Sequence, residues 1–374
     1  MRIVVNCSNL VIGGGIQVAI SFLNEIRSHK ENRYLIFLSK QVEEQIKRNS
    51  FSDNFEFKTI AFSPSRIRTR ATIANILDEE CLRFNPDIVI SVFGPSYWKP
   101  RSVPHLCGFA DGWCYNEDSI TYSQLGFLAR VKRLLLNRYK GVWLKKTAQY
   151  FFLETEVAKT RFASRYSIPM DNISVVSNTY QSFYNDLGPS STMKEEETFR
   201  LVMIAAFYPN KNHKIIKEVV KYLRGRLNFE FTVTLPKQIY SRIYGSDFPE
   251  IVNIGPIPSK KCPEIYATSD AMFLPTLLET FSANYPEAMI MRKPILTSDL
   301  DFAHDICQDA ALYFDPLDAK DIAEKIMKLA SDNNLYRELQ INGLRRVKNF
   351  PSAVERAKLI LNICEKIVKQ NNNV

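Results

Sequence analysis

The feature that most limits how this chain can fold is an alternation that occurs twice: short, almost wholly apolar runs bounded by turn residues, separated by stretches of helical periodicity. In the first half the runs are RIVVNC, YLIFLS, DIVISVF, HLCGFA and YFFL, with IQVAISFLNEI spaced as a helix between the first two. A strand apolar on both faces must be covered on both faces, which is the situation of a parallel sheet flanked by crossover helices. From residue 199 the alternation restarts with FRLVMIAAF, a helix from about Asn212, FEFTVTL, IVNIG, AMFLPT, PILTS and ALYF. Two consecutive parallel α/β domains are therefore expected.

Length agrees, since 374 residues exceed what a single hydrophobic core usually serves. Between the two alternations, NTYQSFYNDLGPSSTMKEEE is polar, carries Gly, Pro and a charge run, and lacks periodicity, so it reads as a linker. The expected boundaries are a first domain at 1–180, a linker at 181–198, a second domain at 199–350 and a last helix at 351–374, with Pro351 placed to start it. Seven scattered cysteines without a C-x-x-C pair are expected to be reduced and mostly buried, as in a cytoplasmic protein. MRIVVNCSNLV reads as a first strand rather than a signal peptide, and no apolar run is long enough to span a bilayer, so any membrane contact is expected to be peripheral.

Charge is distributed unevenly. Residues 1–180 hold 24 Lys/Arg against 16 Asp/Glu, a net of +8, whereas the other 25 against 24 leave +1. A basic first half suits an anionic partner. Its densest stretch, RVKRLLLNRYKGVWLKK, contains Arg130, Lys132, Arg133, Arg138, Lys140, Lys145 and Lys146 and no acid. It reads either as a helix lying on an anionic lipid surface with its apolar residues inserted, or as a solvated helix whose leucines face its own core. SRIRTR at 65–70 adds to the same field. Nucleic acid explains the charge less well, because no recognised binding module accompanies it.

Ligands of open parallel sheets sit outside the carboxyl ends of the strands, so the loops that follow strands are where chemistry is expected. The first such loop is IGGGI, in which Gly14 and Gly15 would let backbone amides approach a diphosphate at a helix amino terminus; a tight turn without a ligand is the equal alternative. It is not G-x-G-x-x-G, so a dinucleotide fingerprint is absent. In AAFYPNKNHKII, Lys211 stands after a strand and at the mouth of a helix, where it can act as a point charge on phosphate or remain a solvated lysine. Most informative is PTLLETFSANYPEAMIMRKP at 275–294, a strand end, a loop and a helix start holding Glu279 and Glu287, eight positions apart. A carboxylate in the position of Glu287 can accept two hydroxyl hydrogen bonds, though the helix dipole alone also favours a glutamate there.

Taken together these segments resemble the retaining glycosyltransferases of family 4, which have the GT-B architecture of two facing Rossmann-like domains with the last helix crossing back to the first. The likeness runs over essentially the whole chain: the GGG loop, YFFLETEVAKTRFASRYSIPMDNISVVSN, Lys211, NIGPIPSKKCPEIYATSDAMFLPT and the Glu-x7-Glu segment. It implies that Glu287 binds ribose hydroxyls and that Glu279 lies by the donor sugar, while Phe281, Ser282, Ala283 and Asn284 offer backbone amides. Lys211 would bind the diphosphate, and Gly14 and Gly15 would be the amino-terminal glycine pair. The catalytic set is then Glu279, Lys211 and Asp111, with His105, Asp111 and Tyr115 on the acceptor side.

The pattern departs from the family in three places. Ala206 stands where an arginine is usual, Ala110 precedes Asp111 where a histidine is usual, and Asn178 is followed by Thr179 rather than glycine. The resemblance implies transfer from a UDP- or GDP-sugar to a hydroxyl of a glycan or lipid-linked glycan, with no metal or other cofactor, as in bacterial surface polysaccharide synthesis (lipopolysaccharide, O-antigen or capsule). An inactive homologue that binds a partner, or a sugar-nucleotide epimerase, are the alternatives. Asp299 and Asp301 match the D-x-D metal spacing but follow PILTS at a turn, and His29, His105, His213 and His304 have no zinc spacing.

Overall fold

The computed structural model of the chain describes residues 1–186 and 198–372. Met1–Glu117, Phe127–Ser177 and Ser352–Val374 form one compact unit, and Asp118–Gly126 with Asn178–Pro351 form the other. The first unit is built on seven strands: β1 (Arg2–Cys7), β2 (Arg33–Ser39), β3 (Phe55–Ile60), β4 (Ile88–Ser91), β5 (His105–Gly108), β6 (Tyr150–Leu153) and β7 (Ile173–Val175). They lie in the order β3-β2-β1-β4-β5-β6-β7, every neighbouring pair parallel. Side chains of β1 explain why it is apolar on both faces, since Ile3, Val5 and Cys7 enter one core and Val4 the core on the opposite face.

The second unit has six strands, β8 (Phe199–Met203), β9 (Phe229–Val233), β10 (Ile251–Asn253), β11 (Ala271–Leu274), β12 (Ile295–Ser298) and β13 (Ala311–Phe314). Their order is β10-β9-β8-β11-β12-β13, again parallel throughout. In both sheets the chain winds outward in one direction and then in the other. The reversal falls between β1 and β4 in the first unit and between β8 and β11 in the second. Loops leaving adjacent strands at such a reversal diverge and open a crevice, so the topology alone marks β1/β4 and β8/β11 as ligand positions.

The last helix, Ala353–Asn372, belongs to the first unit: Ala357, Ile360, Leu361 and Cys364 share a core with Ile16, Ala19 and Leu23 of the first helix, Gly14–Ile26. Ser352 rather than Pro351 opens it, through a reciprocal cap in which Glu355 N donates to Ser352 Oγ (3.2 Å) and Ser352 N donates to Glu355 Oε2 (2.7 Å).

Two stretches differ from the reading of the sequence. Asp118–Gly126 groups with the second unit, where Ser119 Oγ donates to the Leu277 carbonyl at 3.3 Å. Residues 187–197 of the expected linker lie outside the described residues. Just before them, Ser182–Asn185 is a short 3-10 helix that buries Tyr184 in the core of the second unit. Those residues are part of the domain and not linker, because a single large aromatic supplies the apolar surface that the polar average hides.

Candidate functional site

At the reversal in the second unit, the loop after β8 and the loop after β11 are joined by side chains. Asn210 Nδ2 donates to the Leu278 carbonyl (2.8 Å), while the Asn210 carbonyl accepts from Leu277 N (2.7 Å) and from Thr276 Oγ1 (2.9 Å). The next residue, Lys211, ends the 3-10 turn Pro209–Lys211, and its Nζ forms an ion pair with Glu279 Oε1. Thr276 Oγ1 also reaches Glu279 Oε1 at 3.2 Å. Both side chains are largely buried, Lys211 at 16% and Glu279 at 14% exposure. A half-desolvated ammonium beside a carboxylate is a point charge poised for an entering anion, and it needs no new side-chain ordering to act.

Glu287 lies on the short helix Asn284–Ile290 that follows the same loop. Burial raises its carboxyl from 4.5 to about 7, and the Tyr184 hydroxyl beside it pulls in the opposite direction. The Tyr184 and Tyr266 rings lie 6.3 Å apart near this carboxyl; the Tyr184 hydroxyl faces Glu287, and the Tyr266 hydroxyl is buried without a hydrogen-bond partner among the described residues. Such a carboxyl gains most from a ligand that brings hydroxyl donors to it. Asn284 Nδ2 donates to the Ile204 carbonyl at 2.8 Å and ties the helix start to the end of β8. Phe281 and Ser282 are buried, Phe281 edge-on to Phe350 at 5.4 Å, so their side chains are structural. His213 is buried and held neutral, its pKa lowered to about 4 by desolvation, and donates nothing to this charge balance.

The reversal in the first unit is of another kind. The loop after β1 ends at Gly13, whose φ of 81° only glycine adopts without strain, and the first helix begins at Gly14. A Cβ on Gly14 would meet nothing within 4 Å, whereas one on Gly15 would lie 3.3 Å from Phe93. Asn9 Nδ2 bonds the Phe93 carbonyl (2.6 Å) and the Pro95 carbonyl (3.1 Å), and so fastens the loop after β1 to the loop after β4. Asn9, Thr276 and Tyr184 were not singled out in the sequence, and none had a local signal; Gly13 was read as part of the glycine loop and Asn210 as part of a turn, without the contacts they make.

Of the acceptor-side candidates, Asp111 stands just past the carboxyl end of β5, a quarter exposed, accepting from Trp113 N (3.3 Å) and from Lys140 Nζ (2.5 Å). His105 is corrected by the structure. It opens β5 at the amino end, is fully buried, and has both ring nitrogens occupied by Ser91 Oγ (2.9 Å) and the Thr147 carbonyl (2.5 Å). Burial lowers its pKa to about 4, so it is a neutral core residue. Tyr115 is likewise core, packed on Phe109 (6.3 Å) and Phe162 (6.1 Å) with its hydroxyl buried.

The basic stretch forms the helix Phe127–Thr147. Arg130, Lys132, Arg138, Lys145 and Lys146 are exposed, and Arg133 rests over the Trp113 ring at 4.6 Å. Lys140 is corrected as a surface candidate, since it turns inward to Asp111. Asp299 pairs with His304 at 2.6 Å on the surface. Among the described residues no group of three or more His, Cys, Asp or Glu is arranged to hold a metal, and no helix is long and apolar enough to cross a membrane.

Residues 189–346, which hold Lys211, Glu279 and Glu287, match the family model of Glycosyl transferases group 1. No curated protein matched the chain. Among solved structures, a glycosyltransferase from Rickettsia africae aligns over 98% of both chains at 16% identity and a TM-score of 0.71. HepE of Anabaena, crystallised with UDP-glucose, aligns over 98% of this chain and 100% of its own at 12% identity and a TM-score of 0.72. WaaG, a glycosyltransferase involved in lipopolysaccharide biosynthesis, aligns over 96% and 98% at 13% identity and a TM-score of 0.72. At these identities the structures establish a shared GT-B fold.

Proposed function

We propose that this enzyme, whose residues 189–346 match the model of Glycosyl transferases group 1, moves a glycosyl group from a nucleoside diphosphate sugar, UDP- or GDP-linked, to a hydroxyl of a glycan or lipid-linked glycan. The reaction retains the anomeric configuration. The observation that carries the proposal is the ion pair of Lys211 and Glu279 at the reversal between β8 and β11. As the bond from the anomeric carbon to the diphosphate oxygen breaks, negative charge grows on the departing diphosphate and Lys211 neutralises it. The acceptor oxygen bonds the anomeric carbon on the same face, and its proton passes to a phosphate oxygen of the leaving group. Glu279 holds Lys211 in place before the donor enters and faces the sugar afterwards. Glu287 takes the ribose hydroxyls, with loop amides of Phe281, Ser282, Ala283 and Asn284 and the pair Gly14 and Gly15 completing the donor contacts. Asp111, held by Lys140, positions the acceptor. No metal is required, so a chelator leaves turnover unchanged. The basic first half supports a peripheral position at the inner face of the cytoplasmic membrane and an acceptor from surface polysaccharide assembly.

The test is nucleotide release from a panel of UDP-, GDP- and dTDP-sugars with membrane-extract acceptors, with Glu279→Ala as control. Release with one donor, abolished in the variant, is the expected result; no release with any donor overturns the proposal. Ala206 motivates a second reading, a protein that binds the nucleotide without turning it over. Stabilisation by one nucleoside diphosphate in a thermal-shift screen, with no turnover, would be its signature.

A further inference from the structure

We infer that the helix Phe127–Thr147 and the loop 61–69 form one rigid docking surface for an anionic lipid bilayer, which deepens the peripheral placement proposed above. Phe127, Val131, Leu135, Arg138, Val142 and Lys145 follow one another at spacings of 4, 4, 3, 4 and 3, which places them in one stripe along the helix. All six are exposed, Phe127 at 79%, Leu135 at 64% and Val142 at 58%. The buried residues Asn137, Gly141, Leu144 and Thr147 face the core on a different side of the helix. The alternative that its leucines cover their own core therefore holds only for Leu144. Arg130 and Lys132 flank the stripe, and none of its cations pairs with a carboxylate among the described residues.

The loop supplies the second half. Ile67 is 79% and Phe62 46% exposed, with the Arg66 guanidinium 5.2 Å over the Phe62 ring. Arg70 binds the two elements together: Nη2 donates to Tyr139 Oη (2.6 Å), Nε donates to the Pro64 carbonyl (2.9 Å), and the guanidinium lies 4.4 Å over Trp143. Neither 61–70 nor 127–147 contains an acidic residue.

Charge and apolarity together select the occupant. Lysines are depleted from the cores of protein interfaces, and nucleic acid offers no medium for bare aliphatic side chains. A bilayer interface accepts both, with phosphates meeting Arg138 and Lys145 while Phe127, Val131 and Leu135 enter the acyl boundary. At 21 residues the helix lies about 30 Å along the surface.

The experiment is co-sedimentation of the full chain with vesicles of phosphatidylcholine containing about a third phosphatidylglycerol, an amount that gives a strongly negative surface. Binding is expected there, weakening with salt, and not on pure phosphatidylcholine. Leu135→Asp and Ile67→Asp, one on each element, are each expected to lower the partition about tenfold or more, while Lys320→Glu in the second unit leaves it unchanged. Absence of binding, binding that either Asp variant fails to weaken, or preference for a single-stranded RNA oligonucleotide over vesicles overturns the inference. Nucleotide release by Leu135→Asp on a soluble acceptor is measured in parallel and expected at wild-type rate, so failure of the docking surface and failure of the transferase reading are told apart.

Discussion

The two strand-order reversals are the same topological device with opposite chemistry. In the second unit, the loops after β8 and β11 bring a lysine and a glutamate into contact and bury a second glutamate beside two tyrosine hydroxyls. In the first unit, the loops after β1 and β4 meet through glycines, backbone carbonyls and one asparagine, and the contacts that join them there use no charged side chain. One position is built to answer charge and ribose hydroxyls, the other to let backbone come close. A fold repeated in one chain thus leaves function to the residues just past the strand ends, which is why the fold was easier to read than the site.

The sharpest way to break this contrast is Lys211→Ala. If the second reversal carries the diphosphate charge, turnover falls about 100- to 1,000-fold, the range for losing one preorganised group that stabilises transition-state charge. Loss of tenfold or less in a steady-state assay would mean that another cation does the work, the gap left by Ala206 being filled elsewhere. Next in size is the pH response of Glu287. Its carboxyl titrates at about 7 in the folded chain against 4.5 ordinarily, so its contribution is present in full below pH 4.5 and is lost as pH rises through 7. The ligand-free protein is expected to lose up to about 3 kcal/mol across that window on this account. Glu287→Gln should flatten that part of the curve in urea melts at pH 5 and pH 8; an unchanged slope would show the carboxyl to be solvated. The smallest effect falls on the uncharged reversal. Gly13→Ala, at a φ of 81°, is expected to cost about 1 kcal/mol of stability and to raise the donor KM without altering the pH response of Glu287. An effect on that pH response would mean the two positions do not act separately.

Much of this architecture was legible in the sequence. Strands buried on both faces announced themselves as apolar runs, and five of the first seven were found in that way. The two not found in that way, β3 and β7, sit at the sheet edges, where FEFKTI is half polar and ISV is only three residues long. The charged pair was foreseen as two separate residues; that they touch follows from β8 and β11 being neighbours, a fact of topology that no local pattern contains. His105 misled because a histidine near a family position invites a functional role, whereas its place at the amino end of β5 puts it about 10 Å from the edge where ligands bind. Lys140 misled in the opposite way. Within a run of seven cations its inward turn depends on a single carboxylate, Asp111, 29 residues away. Tyr184 was hidden by composition, one buried ring in an otherwise polar stretch.

The return of the last helix to the first unit bears on how the chain acquires its structure. The core around Ile16, Ala19 and Leu23 stays open until Ala357, Ile360 and Leu361 have been made. On a ribosome delivering residues in order, the second unit therefore has its sheet complete while the first is still waiting for its closing helix. A core begun by the part synthesised first is thus closed by the part synthesised last, and a chain that ends before residue 353 leaves that core uncovered.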